Sequence, residues 1–107
     1  MSATDLPGGV TEEAAVQYLS SKVDANLAHL FQESGVPIGL QCKICQQFKT
    51  VRAFASYEDD RSKVREAMKT DFSLDGAANL AACSALAAVV STWEACQRFA
   101  EKEAELK

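Results

Sequence analysis

Two residues separate Cys42 from Cys45 in the run LQCKICQQF. Thiolates at that spacing can share a metal ion or close into a disulfide. The pair is half of a zinc site, and the other ligands would have to come from His29, Cys83 and Cys96, which stand singly on other apolar patterns. A thioredoxin-like dithiol needs its cysteines at the start of a helix that follows a strand, and no strand pattern precedes Cys42. Cys42 and Cys45 are therefore the metal or redox candidates, set against a simpler reading in which all four cysteines stay reduced and pack as small apolar residues. His29 is the one histidine, and its neighbours Leu27, Leu30 and Phe31 put it on the flank of a helix. Glu58, Asp59 and Asp60 are consecutive, so on a helix they diverge rather than converge on a cation. Gly8-Gly9 lacks the Gly-Lys-Ser/Thr that would make a phosphate loop. With no converging polar set, the expectation is that the chain is not an enzyme and uses no cofactor.

The basic residues offer a different chemistry. Lys43, Lys49 and Arg52 flank one short connection, and Arg61, Lys63, Arg65 and Lys69 follow on the next helical pattern. A local positive face on Lys49, Arg52, Arg61 and Arg65 is the nucleic-acid reading. Fifteen acids against eleven bases give a net charge of −4, which works against a broad grip on phosphate. Trp93, the single tryptophan, is either a core anchor or a contact residue for a partner.

These residues must be positioned by helices. The chain of 107 residues, 48% hydrophobic and 24% charged, has room for one domain, expected over residues 11–100 between a flexible lead-in (1–10) and a charged helical tail (101–107). Thr11, followed by Glu12 and Glu13, opens a helix. Val16, Leu19, Val23, Leu27, Leu30 and Phe31 continue it on one face to about Glu33, either as one long helix or as two with a break near Ser20-Ser21. Gly35 stops it. Pro37 suits the first turn of the next helix, striped by Leu40, Ile44, Cys45 and Phe48. Thr50 caps a short helix with Val51, Phe54 and Ala55 inward. Ser56 and Asp59 resemble a capping box for a further helix that begins near Tyr57 or Asp60 and turns Val64, Ala67, Met68 and Phe72 inward, and Leu74 helps close the core. Asp75 caps the last pattern, Ala77 to about Leu106, with Leu80, Cys83, Leu86, Ala87, Val90, Trp93, Phe99 and Ala100 as inward positions. In the tail, Glu103 and Lys107 form an attractive pair four residues apart. The expected architecture is all-α: a compact bundle of about five helices with long first and last members.

No signal-peptide pattern opens the sequence, and the charge-free run Gly76 to Trp93 is rich in small residues and at best barely long enough for a membrane span. A soluble intracellular protein, cytoplasmic or nuclear, is the expectation.

Leu30, Gly35-Val36-Pro37, Leu40, Ile44, Phe48-Lys49-Thr50-Val51 and Phe54-Ala55, followed by a long last helix, form an order of apolar positions around one turn. Over about Leu27 to Phe99 it resembles sterile alpha motif (SAM) domains. Helix-hairpin-helix relatives carry a Gly-hydrophobic-Gly hairpin, which Gln47-Phe48-Lys49-Thr50 lacks. The SAM resemblance implies a protein-interaction or self-association module, with nucleic acid as the alternative partner.

Overall fold

The computed structural model describes residues 5, 6 and 8–105, and these form six helices with no strand among them. Expectations about the rest of the lead-in and about the Glu103–Lys107 pair lie outside the described residues.

Helix α1 (Glu12–Ser21) begins where expected: Thr11 Oγ1 accepts the Ala14 N–H at 3.1 Å, and Glu12 and Glu13 sit in the first turn. Helix α2 (Ala25–Ser34) is separate, so the long first helix is two helices of ten residues each. The break has local causes. Ser20 and Ser21 turn their hydroxyls back onto the carbonyls of Val16 and Gln17, a bonding pattern that weakens a helix. Asp24 then caps α2 through the Asn26 N–H at 3.0 Å. Gly35 ends α2 at φ 80°, and the Val36 N–H reaches back to the Phe31 carbonyl at 3.1 Å.

Helix α3 (Ile38–Gln47) follows Pro37, which stands at the cap position. Thr50 Oγ1 accepts the Ala53 N–H at 3.1 Å and opens α4 (Val51–Ala55). Ser56 belongs to the end of α4 instead of capping the next helix; Asp60 does that, accepting the Lys63 N–H at 2.9 Å at the head of α5 (Arg61–Phe72). Asp75 caps only a turn, through the Ala77 N–H. Asn79 Oδ1 accepts the Ala82 N–H at 2.8 Å and marks the start of α6 (Leu80–Glu105), so the last helix begins three residues later than its alanines suggest.

Helix α6 is the shared packing partner of α2, α4 and α5, while α1 lies against α3 and α2. Phe31, Phe54, Leu27, Leu40, Ile44, Met68 and Leu74 are fully enclosed. The Phe31 and Phe54 rings meet at 5.3 Å, and contacts continue outward through Phe48 and Tyr57 to Phe72. Burying one such phenylalanine contributes roughly 1.5–3 kcal/mol.

Four expected inward positions face solvent: Val16, Leu80, Cys83 and Ala87. In α1 the buried pair is Ala15 and Leu19, which turns Val16 outward by the 100° step of a helix. In α6 the inward rows are Ala85, Val89, Thr92 and Cys96 beside Leu86, Val90 and Trp93. That phase places Leu80, Ser84, Ala87 and Ser91 on the opposite side.

Candidate interaction surface

The outward row of α6 is unusual for this chain. Leu80 is 83% exposed, the most exposed large apolar side chain among the described residues. Below it Cys83, Ser84, Ala87 and Ser91 are exposed as well. No Asp, Glu, Lys or Arg occurs from Gly76 to Trp93, so this half of the helix presents small, uncharged side chains beside one large apolar one. By length and composition alone α6 could cross a membrane, yet its inner side is packed among α2, α4 and α5.

Several of the basic residues stand beside carboxylates. Arg61 grips Glu94 with two contacts, Nε to Oε1 and Nη2 to Oε2, both 2.9 Å. Arg52 Nε lies 3.4 Å from Glu103 Oε2. Both acids come from α6, so these arginines staple α5 and α4 onto the last helix. The Glu94 carboxyl is held below its usual range, first by the hydrogen bond from Arg61 and further by the charges of Arg61 and Arg98, against partial desolvation. Lys49 and Arg65 are exposed. Lys63 lies 3.6 Å from Asp59, and Lys69 lies 4.0 Å from Asp75. Trp93 is enclosed in the core, so it is not at the surface where a partner would meet it.

Cys42 and Cys45 are free and buried, as is Cys96, whereas Cys83 is exposed. Burial pushes the Cys45 thiol up to about 12, with smaller contributions from Cys42 and Cys96. Burial likewise raises Cys96 to about 12, with Asp24 adding to the effect. Among the described residues no group of three or more His, Cys, Asp or Glu side chains is placed to hold a metal ion. His29 sits on the surface of α2, 3.6 Å from Glu33.

A cleft of about 700 Å³ opens between the end of α3 and the end of α5, walled by Phe48, Tyr57 and Phe72 and rimmed by Lys43, Asp71 and Ser73. The Tyr57 hydroxyl donates to Asp71 Oδ2 at 2.7 Å. Burial, then that bond and the nearby carboxylates, hold the phenol protonated well above its ordinary range. Gln46, Gln47 and Thr70 complete the lining around this hydrogen-bonded pair.

No protein-family model, curated protein or solved structure matches this chain. The surface therefore speaks through its geometry. What identifies the outward row of α6 is the phase of that helix, which Ala, Ser and Cys leave open in the sequence because they are tolerated on either side.

Proposed function

We propose that this chain is a non-enzymatic, all-helical interaction module that docks a protein partner, itself included, on the outward face of α6 between Leu80 and Ser91. One observation carries the reading: an 83% exposed leucine heads a helical face that has no charged residue before Glu94. Leaving such a side chain in water forgoes roughly 1.5–3 kcal/mol that a partner's surface would recover. The small residues below it let a second backbone approach closely. The SAM-like order of apolar positions around Phe48-Lys49-Thr50-Val51 supports the same reading, since modules of that kind serve interaction. The paired state of Arg52 and Arg61 favours it over nucleic-acid binding, because each arginine already neutralises a carboxylate.

Affinity capture from cells that express the protein, comparing wild type with Leu80→Lys, tests the reading. The substitution is at an exposed position and should leave the circular dichroism spectrum unchanged. Specific partners, or the chain's own second copy, are expected with wild type and lost with Leu80→Lys; equal recovery by both would sink the proposal.

A further inference from the structure

We propose that the cleft between the ends of α3 and α5 holds an arginine side chain presented by a partner protein. None of its lining residues belongs to α6, so the site stands apart from the outward face of that helix. Its charge preference begins with the backbone. Gln46 and Gln47 close α3, and Thr70, Asp71 and Phe72 close α5, so two helix C-termini line one cleft. The last four carbonyls of a helix have no N–H ahead of them, and the pole they form carries about half a negative charge. A base in the last turn offsets such a pole. Helix α3 has none there, and in α5 Lys69 lies against Asp75 at 4.0 Å. The exposed carboxylate of Asp71 adds a further negative charge at the same place, and the chain as a whole carries −4. Cations are drawn to this cleft and anions are turned away.

The aromatic wall selects among cations. Tyr57 stacks on Phe54 at 5.9 Å and 17°, while Phe48 meets it at 4.8 Å and 60° and Phe72 at 6.4 Å and 70°. The three lining rings thus form a corner and not a flat sheet. A guanidinium is planar, stacks on aromatic faces and donates five N–H groups from its edge. Acceptors for that edge belong to the same lining: the Asp71 carboxylate, the Gln46 and Gln47 amide oxygens and the Thr70 hydroxyl. An ammonium is a compact, strongly hydrated charge that uses the rings less well. The volume of about 700 Å³ is in the range of ligand sites, roughly 300–1,000 Å³, and takes the side chain together with neighbouring peptide. Lys43 is the one base in the lining; it has an interaction of its own, and its flexible stem lets the ammonium stay in water.

Titration with the blocked tripeptide Gly-Arg-Gly, followed by NMR of the aromatic side chains, tests the site. The ring signals of Phe48, Tyr57 and Phe72 should shift saturably, with a Kd on the order of 1 mM, while those of Tyr18 and Trp93 stay in place. The same peptide with citrulline, which has the shape without the charge, should bind at least about tenfold more weakly, and so should one with lysine. Asp71→Asn keeps an acceptor for the Tyr57 hydroxyl and should weaken binding of the arginine peptide about tenfold. Thr70→Lys, at an exposed position, should weaken it as well by bringing a like charge to the rim. Leu80→Lys should bind the peptide as wild type does. Equal binding of the citrulline peptide would overturn a charge-selected site, and equal binding of the lysine peptide would overturn recognition of arginine. No saturable ring shift at tens of millimolar peptide would overturn the cleft as a site altogether.

Discussion

The Asp24 N–H donates to the Lys49 carbonyl at 2.8 Å. That single bond ties the break between α1 and α2 to the connection between α3 and α4, two turns lying twenty-five residues apart in sequence. The Asp24 side chain meanwhile caps α2, so one residue fixes both the start of a helix and the place where it docks.

Asp24→Ala should therefore lower stability by about 1 kcal/mol, the usual loss for an N-cap. Asp24→Asn keeps an accepting oxygen and should retain most of it. Urea denaturation of the two variants separates capping from charge: equal losses would mean that the carboxylate charge, not the cap, matters.

The α1–α2 break also shows what the sequence could convey. Caps are local, and Thr11, Gly35 and Thr50 are each legible because the side chain or backbone freedom acts within a few residues. The break near Ser20-Ser21 is legible only as an alternative: the serine back-bonds and the Asp24 cap are local, but the bond from the Asp24 N–H to the Lys49 carbonyl that docks it joins distant residues and leaves no local sign. The α6 surface was less legible still. Leu80, Cys83 and Ala87 read as inward because Ala, Ser and Cys provide no polar contrast to set the helical phase; the phase is decided by Val89, Trp93 and Cys96 packing against other helices. Arg52 and Arg61 were picked out by type, but their partners Glu103 and Glu94 are distant in sequence and leave no local sign.

Ser73 ends α5 at φ 57°, the one non-glycine among the described residues in the left-handed region. A side chain there costs about 1–2 kcal/mol, partly offset by the greater freedom glycine has when unfolded. Ser73→Gly should raise stability by about 0.5–1 kcal/mol in thermal or urea unfolding. Gly35→Ala, at φ 80°, should lower it by about 1 kcal/mol. A destabilised Ser73→Gly would show that the Ser73 hydroxyl makes a contact worth more than the strain.

Glu94 titrates below its ordinary value because of Arg61. A carboxyl whose folded pKa is depressed contributes stability that is present above the unfolded value and is lost as pH falls through the folded one. The Arg61 contribution should thus fade as pH falls below the ordinary glutamate range. Glu94→Gln should flatten that part of the acid limb in a plot of Tm against pH, and added salt should narrow the gap between variant and wild type because Arg61 is exposed and Glu94 partly so. Superimposable acid limbs would remove Glu94 from the account.

The four thiols separate by burial into one outside and three inside. In native protein at neutral pH only Cys83 should react promptly with a thiol reagent, and the other three only on unfolding. The pH dependence has the opposite sign from that of Glu94. Cys45 and Cys96 are weak acids whose folded values are raised from 9.0 to about 12, so their neutral forms contribute stability that is complete below about 9 and is lost as pH rises toward about 12. Cys45→Ala should blunt the alkaline loss of stability at the cost of a cavity, whereas Cys83→Ala, at an exposed position, should leave stability at neutral pH unchanged. Two or more thiols reacting at the rate of an exposed cysteine in the folded chain would contradict the placement of Cys45 and Cys96 in the core.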